Sequence, residues 1–243
     1  MGARFATTQW SQVLAARDPT GTETRQALAT LCEAYWYPLY AFVRSQGHDP
    51  DESRDLTQAY FAYLLEKNIL EDVDPSAGRF RSFLLATLKH YVAKERRKEG
   101  TLKRGGGTQT ISLDAEDAET RYGFEPADQL TPEQVYENRW ALIVLERALK
   151  RLESEWKDSE RLKQFEHLKP HLTGQEPRIP FREVAAELEM TEVAVRGAMH
   201  RLRQRFGQYI RDEIADTVAS ADEIDDEVRH LLAVVGPWDT HRE

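Results

Sequence analysis

The stretch from residue 181 to residue 206 constrains the fold more than any other part of the chain. Phe181, Val184, Ala185 and Leu188 fall at three- and four-residue steps, the spacing of a short helix with one apolar face. Glu189-Met190-Thr191 follows as a three-residue turn, with Thr191 placed to cap what comes next. A longer helix is expected from Glu192 to about Phe206. At about 100° per residue, Val195, Met199, Leu202 and Phe206 lie within about 60° of one another and form its inner face. Val193, Gly197, His200 and Gln204 lie opposite, with Arg196 and Arg203 on one flank and Arg201 and Arg205 on the other. Two such helices about a short turn form a helix-turn-helix. An outer strip that is small or hydrogen-bonding, edged by arginine, suits a DNA major groove. Gly197 costs roughly 1 kcal/mol against alanine in mid-helix, and close backbone approach to DNA would account for it. The turn carries Glu189 where such turns often hold glycine, which predicts a looser turn.

The formal net charge of −9 argues against nucleic acid, but its distribution does not. Residues 79–104 hold nine Lys/Arg and two Glu, and residues 196–211 hold five Arg and no acid. Acids dominate 48–78 (eight against two bases), 105–138 (eight against one) and 212–243 (ten against two). Two basic blocks set among three acidic ones give a DNA footprint on a chain that is acidic as a whole.

The remaining pattern is helical nearly throughout. Leu28, Leu31, Tyr35, Leu39 and Phe42 form one stripe, in which Pro38 predicts a kink or a boundary. Asp49-Pro50-Asp51-Glu52 opens a second helix with a cap, a first-turn proline and an acid to close the box. Its stripe is Leu56, Tyr60, Tyr63 and Leu64. The loop Asp74-Pro75-Ser76-Ala77-Gly78 leads to a helix with Phe80, Phe83, Leu84, Leu88, Tyr91 and Val92 inside, whose later turns carry Lys89, Lys94, Arg96, Arg97 and Lys98. Gly105-Gly106-Gly107 and the weakly periodic acidic stretch after it read as a linker. Thr131-Pro132-Glu133-Gln134 caps a helix striped by Leu142, Leu145, Leu149, Leu152 and Trp156. Leu162, Phe165, Leu168 and Leu172 follow, and Pro170, Gly174, Pro177 and Pro180 mark a turn. In the tail, Ile224, Val228, Leu231, Leu232 and Val235 make an amphipathic stripe.

These patterns predict an all-α chain of two small helical domains joined by an acidic linker. No apolar run is long enough to span a membrane, and Met1-Gly2-Ala3-Arg4-Phe5 leads into polar sequence without a signal-peptide core. The single cysteine, Cys32, reads as a small core hydrophobe in a reducing compartment, so a cytoplasmic protein is expected. Enzymatic chemistry finds no support. The triple glycine lacks the Lys-Ser/Thr of a phosphate loop, and the histidines and lone cysteine show no metal spacing. His167 and His171 are four apart, but Pro170 stands between them and no acid sits where a zinc site would need it. No cofactor is expected.

Three stretches resemble the extracytoplasmic-function (ECF) subgroup of the sigma-70 family of RNA polymerase sigma factors. Asp55-Leu56-Thr57-Gln58-Ala59-Tyr60-Phe61 is similar to the family's segment that meets the polymerase clamp. Gly78-Arg79-Phe80-Arg81-Ser82-Phe83-Leu84 and the basic helix after it resemble the segment that reads and opens the −10 element. Ile179-Pro180-Phe181-Arg182-Glu183-Val184-Ala185 through Arg205 resembles the helix-turn-helix that reads the −35 element. The resemblance implies a sigma-2-like domain at 1–104, a linker at 105–130 and an acidic extension with an amphipathic helix at 212–243. A sigma-4-like domain would occupy 131–211, winged-helix-like but without strands. It implies −35 contacts by Arg196, Gly197, His200, Arg201, Arg203 and Gln204, and −10 contacts by Arg79, Arg81, Lys89, Lys94, Arg96 and Arg97. Polymerase contacts fall to Asp55, Leu56, Gln58 and Phe61, and the 70–78 loop would capture a flipped base. Phe80, Phe83 and Tyr91 could stack bases, but they follow the apolar stripe and are read as core.

The implied partners are core RNA polymerase, through its β′ clamp and β flap, and promoter DNA, with no membrane. An anti-sigma factor or a Ser/Thr kinase is a candidate regulator. Arg54 and Ala59 stand where the family usually has acids, so phosphorylation of Ser53 or Thr57 is offered as a way to restore charge. The stripe of the acidic tail is expected either to pack back on the C-terminal domain or to dock a partner, and its charge is also expected to compete with DNA for the 196–211 arginines. The alternative to a sigma factor is a stand-alone helix-turn-helix regulator with a helical regulatory domain.

Overall fold

In the computed structural model, residues 22–67, 69, 79–99, 119, 130–157, 161–173, 179–215, 218, 220 and 222–236 are described, with side chains from Ala34 onward except at 65, 98 and 99. Among these the fold is all-helical, with no strand. The helices are α1 (Thr22–Ser45), α2 (Pro50–Glu66), α3 (Phe80–Glu99), α4 (Pro132–Trp156), α5 (Leu162–Thr173), α6 (Phe181–Glu187), α7 (Glu192–Ala215) and α8 (Asp222–Val235). Cys32, the 70–78 loop and the linker, apart from Glu119 and Leu130, lie outside the residues or side chains described.

Contacts divide the chain into two compact units: 1–140 with 216–223, and 141–215 with 224–243. The division falls inside α4, not at its start. Helix α4 begins with a reciprocal capping box, the Thr131 N–H donating to Gln134 Oε1 (2.8 Å) and the Gln134 N–H to Thr131 Oγ1 (3.3 Å). Its first nine residues belong to the first unit because Tyr136 and Trp140 are buried there, the Tyr136 hydroxyl donating to the Arg81 carbonyl (2.9 Å).

In the first unit α1, α2 and α3 pack on one another. From Ala34 to Val43 every residue of α1 is buried, so this helix is enclosed on all sides instead of along one stripe. It also runs on through Pro38. The Tyr35 ring meets Phe80 edge-on at 5.5 Å, and the Tyr60 hydroxyl donates to the Leu84 carbonyl (2.9 Å), joining α1 and α2 to α3. Asp49 caps α2 as its sequence predicts, accepting from the Glu52 N–H (2.8 Å). Glu52 does not close the box. Its carboxylate turns to His48 Nδ1 (2.8 Å).

In the second unit α7 packs on both α5 and α6. Helix α5 continues through Pro170, where a turn was expected, because Phe165, Leu168 and Leu172 stay buried on one face across it. The far half of α4 is fastened to α7 by Arg151 on Asp212 and Glu213 and by Glu155 on Arg205 and Tyr209. The expected α4 stripe is rotated. Leu145 and Leu152 are buried, but Ile143, Val144 and Ala148 are buried with them, while Leu142, Leu149 and Trp156 are half-exposed. Helix α8 buries Leu231 and Glu227 and leaves Leu232 exposed.

Candidate nucleic-acid interface

Helices α6 and α7 form the helix-turn-helix, and its turn is tight despite Glu189. Helix α6 ends at Glu187 with Leu188 as its C-cap, and Glu189 takes a left-handed conformation (φ 53°). The Met190 N–H then reaches back to the Ala185 carbonyl (2.9 Å) and the Glu189 N–H to Ala186 (3.4 Å). This is the paired bonding of a Schellman cap, which usually recruits glycine because a Cβ is strained there. The expectation of a looser turn is corrected: glutamate adopts the conformation anyway. Thr191 caps α7, its Oγ1 accepting from the Ala194 N–H (3.2 Å).

The inner face of α7 is the expected one. Val195, Met199, Leu202 and Phe206 are buried, joined by Ala198, Tyr209, Ile210 and Ile214. Arg196, His200, Arg201, Arg203 and Gln204 are exposed and Gly197 is half-exposed. Arg196 is braced by Glu192 one turn back (Nη2–Oε1 2.9 Å) and by the Phe181 ring, 5.6 Å from its centroid. Arg205 is held internally by Glu155 (2.9 Å), whose carboxyl the arginine keeps below the usual carboxylate range. Among the described residues Arg201 and Arg203 have no ion-pair partner. Beside α7 a cleft of about 720 Å³ is walled by Arg161, Arg201 and Arg205 over Trp156, Met190 and Ala198. Arg161, at the start of α5, was not singled out by periodicity, because it belongs to no basic block. Val193 also stands on the outward strip, 81% exposed.

On α3, Lys89, Lys94, Arg96 and Arg97 are exposed and Arg79 is half-buried. Lys89 pairs with Glu133 (2.6 Å) and lies 5.8 Å from the Phe42 centroid, and Lys94 lies 5.4 Å from the Tyr63 centroid. Arg96 Nη2 donates to His48 Nε2 (2.7 Å). Since arginine has no acceptor, His48 must present its lone pair there and donate from Nδ1 to Glu52. Arg96 is thus held by a ring nitrogen and not by a carboxylate.

Arg81 is placed elsewhere. It is 3% exposed, paired with Glu137 and stacked 4.7 Å from the Trp140 centroid. It is a core residue in this structure, because its helix position faces α4, and it is not on the basic face expected to meet DNA. Phe80 and Tyr91 are buried as read, and Phe83 is half-buried.

Along α2, Asp55 is exposed, Leu56 and Gln58 are half-exposed, and Phe61 is buried at 6%. Phe61 therefore supports this face from behind. The proposed phosphorylation sites are corrected by burial: Ser53 and Thr57 are both 0% exposed, and the Thr57 hydroxyl donates to the Ser53 carbonyl (2.7 Å). The buried face of α2 runs Ser53, Thr57, Tyr60, Phe61 and Leu64, so its first two turns are polar residues that an apolar stripe cannot reveal. Arg54 pairs with Asp51, which offsets the positive charge at that position.

His167 bonds to the Lys163 carbonyl and Glu187, and His171 packs on Phe181 at 4.7 Å. Among the described residues no group of three or more His, Cys, Asp or Glu is placed to hold a metal ion. No helix among them is long and apolar enough to cross a membrane.

A family profile described as ECF sigma factor matches residues 25–212. Neither the curated proteins nor the solved structures compared with the chain gave a match. The profile runs from within α1 into the last turns of α7, more than half of the chain, and so takes in the basic helix and the helix-turn-helix together. That family acts in transcription initiation, not as enzymes, with core RNA polymerase and promoter DNA as partners, and this chain belongs to the ECF sigma factor family.

Proposed function

We propose that the chain binds core RNA polymerase, reads a −35 element with α7 and a −10 element with α3, and promotes DNA opening at the −10 element for transcription initiation. The observation that carries this reading is the outward strip of α7. His200, Arg201, Arg203 and Gln204 project from the second helix of a helix-turn-helix whose opposite face is fully packed. Side chains there can reach base edges while the flanking arginines meet phosphates. On α3, Lys89, Lys94, Arg96 and Arg97, with Arg79 at its start, supply the cationic face for the −10 strand. Arg81 is left out of that set. On α2, Asp55, Leu56 and Gln58 form the face offered to the β′ clamp, and the second unit is the part that would meet the β flap. A cytoplasmic location follows from that of the polymerase.

Run-off transcription with purified core polymerase tests this. Promoter fragments are first selected by the holoenzyme, and a transcript starting at one position is expected only when the chain is added. A stand-alone regulator would bind the same fragments and give no specific start, and that result would overturn the proposal.

A further inference from the structure

Among the described residues the exposed large hydrophobics are Leu130 (36%), Ile179 (39%), Leu232 (40%) and Val193 (81%). Isolated exposed apolar residues are ordinary on protein surfaces. Val193 differs from the other three by its degree of exposure and by its position. It is the second residue of α7, and the other large apolar residues of that helix, Val195, Met199, Leu202, Phe206 and Ile210 among them, are buried. Residues at this end of a recognition helix enter the groove first.

The surroundings of Val193 are chemically uneven. Arg196, one turn on, is held to its flank by Glu192 and Phe181. Gly197 follows on the same strip as Val193. A Cβ built at Gly197 would meet only the Arg201 Nη1 at 3.5 Å, an ordinary contact, so packing within the protein does not demand glycine there. The strip therefore begins with an apolar knob and a bare backbone, and only then turns polar at His200 and Gln204. In the major groove the apolar feature of a base edge is the C5 methyl of thymine. A cytosine at the same place presents only a C5–H to Val193, its amino group standing where thymine has O4, so the apolar contact is lost.

We infer that Val193 is a specificity-determining residue that covers the C5 methyl of one thymine in the −35 element, selecting thymine over cytosine at that base pair. The inference rests on the proposed −35 reading by α7 and names one base contact within it.

The test uses holoenzyme assembled from the full chain and core polymerase. The probe is a selected promoter fragment whose −35 thymines are replaced one at a time by deoxyuridine, which removes only the methyl group. One replacement should weaken binding about fourfold, the factor expected for losing one buried methyl. Val193→Ala should weaken binding to the unmodified fragment by a similar factor and lose the deoxyuridine penalty at that one position. Arg196→Ala should keep that penalty. Alanine is the better helix former, so the variant should keep its helical circular dichroism. The inference is overturned if no deoxyuridine replacement matters, or if Val193→Ala keeps the full penalty. Wild-type binding to a fragment with a scrambled −35 element separates the two levels. If wild type does not prefer the intact element, the −35 reading fails and this inference with it. If it does, and Val193 shows no coupling, only this inference fails.

Discussion

Arg81 on α3 and Glu137 on α4 form an ion pair that is almost closed to water, with Arg81 3% exposed and Glu137 half-buried. The Tyr136 hydroxyl holds the Arg81 carbonyl and the Trp140 ring lies along the guanidinium. The pair fixes the start of α4 onto the basic helix. Removing one partner strands a buried charge, which typically costs about 3–5 kcal/mol. Glu137→Ala and Arg81→Ala should each lower stability on that scale in urea denaturation. The double replacement Arg81→Met with Glu137→Leu should cost less than either, since no charge is left unpaired. The double variant should also keep the wild-type salt dependence of promoter binding. A shallower dependence would return Arg81 to the DNA-contacting set.

Glu189 holds a left-handed backbone with a Cβ, which costs roughly 1–2 kcal/mol relative to a residue without one. Glycine regains most of this but loses some on the unfolded side. Glu189→Gly should therefore stabilise the protein by about 1 kcal/mol in urea denaturation. Its Schellman bonds are backbone bonds and survive the change, so promoter affinity should stay within twofold. Destabilisation by Glu189→Gly would mean that the glutamate side chain has a part in the turn.

How much of this could be read beforehand depended on which physical signal each residue carries. Val195, Met199, Leu202 and Phe206 announce the inner face of α7 because all four are apolar, and Thr131 and Asp49 announce caps because their side chains have few other uses before a helix. On α2 the stripe announces Tyr60 and Leu64, both buried, but the first two turns of that face were hidden because they are Ser53 and Thr57. The inward turn of Arg81 was hidden because its partner, Glu137, lies 56 residues away. Basic runs give net charge but not the direction of each side chain. The helical conformation of Pro170 was illegible for a related reason: the buried contacts of Phe165, Leu168 and Leu172 outweigh a local breaker.

Glu119 docks on α1. Arg44 donates to both of its oxygens, from Nη2 (2.7 Å) and Nε (3.0 Å), and the Tyr40 hydroxyl donates to Oε2. The Arg44 guanidinium holds the Glu119 carboxyl below the usual carboxylate range. The folded state therefore binds the proton less readily than the unfolded state. Its contribution is complete above the ordinary glutamate range and is lost as pH falls through the lowered value. Glu119 is 36% exposed, so solvent screens part of the effect. Thermal unfolding followed from pH 7 down to pH 3, a span of about four units across the carboxylate range, should show wild type losing stability at the acid end more steeply than Glu119→Gln. Parallel curves would mean that the pair does not stabilise the fold.

Arg211, near the end of α7, pairs with Asp225 on α8. Both side chains are exposed, at 47% and 67%, so the pair is worth about 1 kcal/mol or less. Its interest lies in what it occupies: Arg211 ends the acid-free arginine block that begins at Arg196, and Asp225 belongs to the acidic tail. Cutting the tail away would also remove Leu231, which is fully buried, and would confuse stability with competition. Asp225→Asn avoids that. If the tail competes with DNA, the variant should bind promoter fragments up to about fivefold more tightly at low salt. Near 1 M salt the Debye length shrinks to about 3 Å and the advantage should vanish. Equal affinity for the two proteins at low salt would instead make α8 a structural element of the second unit. An advantage that persisted at high salt would point to a change in packing, not to released charge.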